Sequence, residues 1–366
     1  MKVLTLTGTR PELIRLSVTL RKLDEMLGVN HIHVFTNQNF DPNLSTIFLQ
    51  ELGIREPNYT FDKTDGLGMF LGNGFTQFAS ILDREKPDRV LVLGDTNSAL
   101  LALLAAKLGI PVYHMEAGNR CFDKQVPEET NRRIVDSFAT YNLPYTKNSK
   151  ENLIREGYHK NYVFQTGNPI YEVLLYYQKQ IENSTVLDRL GLYTGFEQVK
   201  YDVPYILLSL HRTENVDNPI VARNIVDAIN FIAEENNIKV ILPFHPHTRD
   251  QFEKHGIYFS KMVECIEPIG FFDFVKLEQC AKVVITDSGT VPEETHLLDK
   301  PCIVLRNTIE RQELIETGSL ILAGTEKADI IRAYHSIDKM EVVWPILEEY
   351  SKITVSDTVI RILMGA

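Results

Sequence analysis

Arg89-Val90-Leu91-Val92-Leu93-Gly94-Asp95-Thr96-Asn97-Ser98 is an aliphatic run, a glycine turn and a set of polar residues suited to start a helix. A short apolar run without polar alternation fits a strand buried on both faces, and such strands belong to parallel sheets covered by helices. The same unit recurs along the chain. Strands are expected near 2–7, 31–36, 89–93, 111–115, 141–145 and 162–166, then near 205–210, 238–243, 263–267, 282–286, 301–305 and 319–323. Helical patterns lie between them, so the fold class is α/β with two Rossmann-like domains built on parallel sheets.

With 366 residues the chain is long for a single core, in agreement with two domains. The boundary is expected within 168–200, where Gly167-Asn168-Pro169 leads into a helical pattern over Ile170 to Ile181 and then a polar stretch from Asn183 to Lys200. The domains are therefore read as 1–168 and 169–341. A final pair of helices, roughly 342–351 and 354–364, has no strand of its own to cover and is expected to cross back, so that 342–366 joins the first domain.

A net charge of -11, from 38 basic and 49 acidic residues, disfavours nonspecific binding to nucleic acid or an anionic membrane. A phosphate-bearing ligand then needs a local cluster of positive groups. Cys121, Cys265, Cys280 and Cys302 show no CxxC spacing, which argues against a zinc site and for buried thiols in a reducing compartment. Polar residues interrupt the N-terminus before a signal-length apolar run develops, and the Ala99 to Ala106 run is too short to cross a bilayer. A cytoplasmic protein is expected.

In open parallel sheets, ligands bind beyond the carboxyl ends of the strands. At the first such end, Gly8-Thr9-Arg10-Pro11-Glu12 offers a tight turn, a helix start and a guanidinium to an anion. Asp95 follows the strand 89–93, where a helix N-cap is its ordinary role. Glu116 follows Val112-Tyr113-His114-Met115, and if the two strands are neighbours both carboxylates face one cleft. Glu128 and Glu129 begin a helical pattern, with Arg132 spaced to pair with Glu128. Carboxylates crowded in a partly dry cleft differ in proton affinity, which separates acid from base roles.

In the second half, His211 and Arg212 end a strand opposite that cleft and suit a phosphate or a leaving group. His245 and His247, separated by a proline and lacking a third ligand, are read as loop residues and no metal is expected. Thr286-Asp287-Ser288-Gly289-Thr290-Val291-Pro292-Glu293-Glu294 is a strand end, a small-residue turn and a helix start. Ser288 and the backbone N–H groups near Gly289 suit a diphosphate, and Glu294 suits ribose hydroxyls. Arg306 and Arg311 add positive charge. Gly66, Gly68, Gly72 and Gly74 imitate a dinucleotide motif, but Tyr59 to Asp65 does not read as the strand it needs. That segment is taken as a flexible loop, and no cofactor is expected.

Taken together, Gly8-Thr9-Arg10-Pro11-Glu12, Gly94-Asp95-Thr96, His114-Met115-Glu116-Ala117-Gly118, Pro127-Glu128-Glu129 with Asn131-Arg132, Thr166-Gly167-Asn168, His211-Arg212, Thr286-Asp287-Ser288-Gly289, Glu293-Glu294 and Glu310-Arg311 resemble the non-hydrolysing UDP-N-acetylglucosamine 2-epimerase family. The resemblance implies a GT-B-like pair of domains with the substrate in an interdomain cleft, assembled as a homodimer. It implies loss of the C2 proton and departure of UDP from C1, giving a 2-acetamidoglycal, then re-addition of UDP with C2 inverted. By position it implies Asp95, Glu116 and Glu128 as the acid/base set and His211 near the departing diphosphate. Arg10, Ser288, Gly289, Glu294 and Arg311 are implied nucleotide or phosphate contacts, with Arg15 and Arg132 also set among the substrate-binding residues.

Two departures bear on the family pattern: Arg15 stands where the family has lysine, and Asn37 to Leu44 replaces a familiar stretch associated with the family's bacterial allosteric UDP-GlcNAc site. With them go Gly118-Asn119-Arg120-Cys121-Phe122-Asp123 and Ser288-Gly289-Thr290-Val291-Pro292-Glu293-Glu294. These features resemble the branch that forms UDP-N-acetyl-L-fucosamine from UDP-2-acetamido-2,6-dideoxy-L-talose for capsule or O-antigen synthesis, with UDP-GlcNAc to UDP-ManNAc as the alternative. Two other readings use the same nucleotide end: a GT-B glycosyltransferase, and a catalytically silent UDP-sugar sensor.

Overall fold

In the computed structural model, which describes residues 1–38, 48–64, 66–194, 201–337, 339–340 and 343–365, Val3–Thr7 and Arg89–Leu93 lie side by side although more than eighty residues separate them. They are β1 and β4 of a six-stranded sheet, with β2 His31–Phe35, β3 Tyr59–Thr60, β5 Val112–Met115 and β6 Tyr141–Leu143. Every pairing is parallel and the order is β3-β2-β1-β4-β5-β6. One face of these strands presents Leu4, Leu6, Ile32, Val34, Val90 and Val92 to Phe78, Ile81, Leu82 and Ala102 of the covering segments. Burial on both faces leaves few polar positions within the strands, which is why 89–93 reads as a continuous aliphatic run.

A short antiparallel pair follows, β7 Tyr193–Thr194 with β8 Tyr201–Asp202. The second sheet repeats the first: β9 Tyr205–Ser209, β10 Lys239–Pro243, β11 Val263–Ile266, β12 Val283–Thr286, β13 Cys302–Val304 and β14 Leu320–Leu322, in the order β11-β10-β9-β12-β13-β14 and parallel throughout. The chain divides into two compact units, Met1–Tyr176 with Leu347–Ala366, and Tyr177–Ile346.

Several local expectations are corrected. The strand expected at 162–166 is reduced to one parallel bridge, Asn142 to Val163, although Phe164 and Thr166 still donate to the carbonyls of Asn142 and Pro144. β3 lies inside the segment set aside as polar and broken; two residues are too few to show a period. The glycine-rich loop is the start of a helix, Leu67–Glu85, whose buried residues Gly74, Phe78, Ile81 and Leu82 keep the helical spacing. Gly74 serves close packing, since a Cβ there would stand 2.9 Å from a methyl carbon of Leu101.

The pattern over 170–181 breaks at Tyr177 into Ile170–Tyr176 and Gln178–Glu182. Residues 343–350 form no helix, because Pro345 lacks an N–H and pushes Trp344 toward extended backbone; residue 342 lies outside the described residues. Val355–Gly365 is helical and buries Val355, Val359, Ile360 and Leu363, packing on the helix Arg10–Leu27. Of the thiols, Cys121 and Cys302 are buried, but Cys265 is exposed and Cys280 partly so. Residues 39–44 and 195–200 of the stretches noted above lie outside the described residues.

Candidate active site

The order of the first sheet places the turn after β1 beside the turn after β4, where the chain's winding reverses direction; in open α/β sheets such a reversal marks the ligand crevice. The helix Arg10–Leu27 opens with a capping box, in which Gly8 N, Thr9 N and Thr9 Oγ1 donate to Glu12 Oε2 at 2.9, 2.7 and 2.8 Å. Thr96 Oγ1 donates to Glu12 Oε1 at 3.0 Å, so one buried carboxylate ties the two turns together. Burial pushes the Glu12 carboxyl up to about 7, against the pull of these hydrogen bonds. Arg10 lies at the first helical position with its guanidinium 4.3 Å from the centroid of the Phe48 ring.

Asp95 does not cap a helix. Thr96 takes that role for Asn97–Leu100, its side chain accepting from Ala99 N, and this leaves the Asp95 carboxylate to Arg132. Arg132 Nε and Nη2 donate to Asp95 Oδ2 at 3.0 and 2.5 Å, while its Nη1 donates to buried Glu129 at 3.0 Å. The helical spacing pairs Arg132 with Glu128, but these bonds commit its guanidinium to Asp95 and Glu129. Asn131 Nδ2 holds the same turn through the Asp95 carbonyl at 3.0 Å. Glu128, one turn earlier on that helix, keeps a buried Oε2 with no hydrogen-bond partner among the described residues.

β4 and β5 are neighbours, with Leu93 opposite Met115, so Asp95 and Glu116 leave the same sheet edge on adjacent strands. Glu116 accepts from Arg15 Nη1 at 3.0 Å and from Asn119 Nδ2 at 3.1 Å. Its φ of 67° is left-handed, a conformation that costs a non-glycine residue roughly 1–2 kcal/mol and persists only where its surroundings impose it.

The surroundings are specific. Gly118 N lies 3.3 Å from both oxygens of buried Asp136, Asn152 Nδ2 donates to Gly118 O at 3.1 Å, and a Cβ on Gly118 would stand 2.2 Å from Ser149 O. Beneath the turn, Asp136 lies 2.8 Å from Arg120 and 2.9 Å from His114 Nδ1, while His114 Nε2 donates to Gly94 O at 2.8 Å. Arg120 also donates to Glu156 at 2.9 and 2.5 Å, and these carboxylates hold its proton affinity above the ordinary arginine value despite burial.

The second unit repeats the placement, with the turns after β9 and β12 adjacent at its own reversal of winding. Asp287 is wholly buried and accepts from Arg212 N at 2.9 Å, His211 N at 3.2 Å and Asn215 Nδ2 at 3.2 Å. His211 is half exposed, with Nδ1 3.3 Å from Asp287, so its Nε2 points away from that carboxylate. Ser288 Oγ accepts from Thr290 N at 3.2 Å and closes the turn around Gly289. A Cβ on Gly289 would lie 3.6 Å from Arg306 Nη1 and 3.8 Å from Arg212 Nη2, so two guanidiniums rim the turn.

Arg306 is bonded to Glu310 at 3.0 Å through both terminal nitrogens, and Arg311 Nε to buried Glu293. Glu294 is buried beside Glu278, a carboxyl whose proton affinity is raised well above the ordinary value by burial and then by Glu294. His245 caps the helix Pro246–His255 and His247, in its first turn, bonds Asp217 at 2.7 Å, so neither is a plain loop residue. Among the described residues no cluster of three His, Cys, Asp or Glu is placed to hold a metal, and no helix is long and apolar enough to cross a membrane.

Residues 21–364 match the family described as UDP-N-acetylglucosamine 2-epimerase. The chain belongs to that family. It is 39% identical over 339 residues to the UDP-N-acetylglucosamine 2-epimerase of Methanocaldococcus jannaschii, with 91% of each chain covered. It is 36% identical, again with 91% of each covered, to the UDP-2,3-diacetamido-2,3-dideoxy-D-glucuronate 2-epimerase of Pseudomonas aeruginosa. The crystal structure of the Methanocaldococcus jannaschii enzyme in complex with UDP-GlcNAc and UDP superposes with a TM-score of 0.91 at 35% identity, over 100% of both chains. That of the Neisseria meningitidis enzyme bound to UDP-GlcNAc gives 0.88 at 28%, also over 100% of both. This 2-epimerase is an isomerase of the non-hydrolysing type, with the GT-B-like fold of its structural neighbours.

Within the 2-epimerase, Arg10, Arg15, Asp95, Glu116, Glu128 and Arg132 belong to the first unit, and His211, Ser288, Gly289, Glu294 and Arg311 to the second. Arg15 and Arg132 are buried on carboxylates, and Arg311 on Glu293. Glu12, Asp136 and Asp287 organise the site although no sequence expectation gave them a role there. The Thr9-x-x-Glu12 spacing is a capping-box signal that points to Glu12; Asp136 and Asp287 carry no local signal. Asn119, Arg120 and Cys121, taken as a substrate clue, are buried under Glu116 and bonded within the protein.

Proposed function

We propose that this 2-epimerase inverts C2 of a UDP-N-acetylhexosamine by eliminating and re-adding UDP. The observation that carries the reading is the pair Asp95 and Glu116: two carboxylates just beyond the carboxyl ends of adjacent parallel strands, held by separate guanidiniums, Arg132 and Arg15. One carboxylate removes the C2 proton. The C–H electron pair becomes the C1–C2 double bond of the glycal as the C1–O bond breaks and its pair leaves on UDP. A diphosphate oxygen then re-forms the bond to C1, and a proton reaches C2 from the opposite face. Glu128, whose buried Oε2 has no partner among the described residues, is the third proton-handling candidate. His211, oriented by Asp287, is assigned to the departing diphosphate, with Arg10 and the turn at Ser288 and Gly289 as phosphate contacts and Glu294 as a ribose contact.

For the sugar, the resemblance to the L-fucosamine-forming branch at Arg15, Gly118 to Asp123 and Ser288 to Glu294 supports UDP-2-acetamido-2,6-dideoxy-L-talose, converted to UDP-N-acetyl-L-fucosamine for capsule or O-antigen precursors, although Asn119, Arg120 and Cys121 are themselves bonded within the protein beneath Glu116. UDP-GlcNAc is the second reading, favoured by the names of the relatives that match nearly the whole chain. A cytoplasmic homodimer with domains near 1–168 plus the tail, and 169–341, belongs to the same proposal.

Incubation with each sugar nucleotide in D2O, followed by proton NMR, tests the reaction. Deuterium is expected at C2 with the UDP linkage retained, and exchange with neither sugar would overturn the proposal. Transfer of the sugar to an added acceptor would point to a glycosyltransferase instead. Asp95→Asn and Glu116→Gln are expected to lower kcat by roughly a hundredfold or more while KM moves by only a few-fold, because proton transfer matters in the transition state.

A further inference from the structure

Asn119 donates one amide hydrogen to Glu116, and its amide has to be oriented for that. An ionised carboxylate only accepts, so the NH2 end of the amide must face Glu116 and the carbonyl end must face away. Facing away, Asn119 Oδ1 accepts from Ser149 Oγ at 2.8 Å. Ser149 lies in the first turn of the helix Lys147–Arg155, and its Oγ is 3.1 Å from the Oγ1 of Thr146, the N-cap of that helix. Ser149 has one hydroxyl hydrogen and gives it to Asn119, so towards Thr146 its Oγ can only accept, and Thr146, whose Oγ1 also accepts from Ser149 N at 3.1 Å, donates to it. Every hydrogen therefore points one way: Thr146 to Ser149, Ser149 to Asn119, Asn119 to Glu116.

Thr146, Ser149 and Asn119 are 5%, 3% and 4% exposed, so solvent water does not substitute for a missing member. A buried chain of this kind polarises each bond along it and fixes the orientation of its last donor. Helix capping requires only the bond from Ser149 N to Thr146; the Ser149 hydroxyl is not needed for it.

We infer that Ser149 is a positioning residue for C2 proton transfer, acting through Asn119 to hold the Glu116 carboxylate in place from outside the substrate site. This rests on the reading of Glu116 as a proton-transferring group. It also gives Asn119, first singled out as a clue to the sugar, a task directed at the carboxylate.

A double-mutant cycle on C2 deuterium exchange tests it, using UDP-GlcNAc and UDP-2-acetamido-2,6-dideoxy-L-talose as substrates. Ser149→Ala is expected to lower kcat about tenfold with KM within about twofold, and Ser149→Thr, which keeps the hydroxyl, to restore most of the loss. Asn119→Leu is expected to lose at least as much. The double variant should then be no slower than Asn119→Leu alone, because Ser149 acts only through Asn119. A parental kcat in Ser149→Ala, or losses that multiply in the double variant, would overturn the relay. If Asn119→Leu does not fold, the comparison of Ser149→Ala with Ser149→Thr decides alone, equal rates counting against the proposal. Exchange retained by Glu116→Gln would sink the catalytic reading of Glu116; an inactive Glu116→Gln beside a fully active Ser149→Ala would sink only the relay.

Discussion

Glu12 and Glu116 are both glutamates whose carboxylates lie at strand-end turns, Glu12 reaching its turn from the first turn of a helix, yet their surroundings make them different chemical objects. Glu116 is held as an acceptor by Arg15 and Asn119 at a backbone angle that glycine adopts more readily. Glu12 is buried, so its charged form is disfavoured and its carboxyl titrates at about 7 instead of 4.5. The sign for stability follows directly. A folded-state value above the unfolded one means that the native chain binds more protons between the two, so this contribution is complete below about pH 4.5 and is lost as pH rises through about 7. The slope is about 1.4 kcal/mol per pH unit within that window. Glu12→Gln can keep the turn, its carbonyl accepting from Gly8 and Thr9 and its amide donating to Thr96 Oγ1. The wild-type minus variant difference in unfolding free energy, measured by denaturant at pH 4.5 to 8, is expected to fall with rising pH; a flat difference would remove Glu12 as the titrating group.

At the scale of elements, the turn 116–121 is shaped from below by groups on two helices, Asp136 on Pro127–Phe138 and Ser149 with Asn152 on Lys147–Arg155. Asp136 is the keystone among the charges, lying between His114 and Arg120 with both side chains of each pair fully buried. Asp136→Ala leaves Arg120 with less compensation and frees the Gly118 amide, and removing one partner from a buried pair costs about 3–5 kcal/mol. The denaturant midpoint should fall accordingly, with exchange activity lost alongside; a shift below about 1 kcal/mol would show the site to be wetter than its burial implies. None of this convergence has a local sequence signature. The strands were legible because apolar runs bounded by turn residues report burial, whereas 162–166 and Tyr59–Thr60 exchanged status because edge pairing depends on the neighbouring strand. The Leu67–Glu85 helix was hidden by its glycines, although Phe78, Ile81 and Leu82 carried the correct period.

Over the whole molecule, the C-terminal segment joins the first unit by a polar anchor as well as apolar packing. Glu172 accepts from Ser356 N at 2.8 Å and from the Ser356 hydroxyl, and Lys22 donates to Ser356 Oγ at 2.8 Å and to Asp357 at 2.7 Å. Ser356→Ala removes one donor from a buried carboxylate and is expected to destabilise by about 1–2 kcal/mol, lowering Tm by roughly 2–6 °C. An unchanged Tm would mean that the apolar face of Val355–Gly365 holds the tail without help. The sequence by itself determined the alternation of strands and helices, the placement of ligand-facing residues at strand ends, and the family, because each rests on local pattern or on residues read in order. Strand order was beyond it. Only the tertiary structure set β1 beside β4 and β9 beside β12, gave the N-cap to Thr96 so that Asp95 is left to Arg132, and buried Asn119 beneath Glu116. Those outcomes depend on contacts between residues far apart in the chain, where local propensity carries no information and packing decides which polar groups meet.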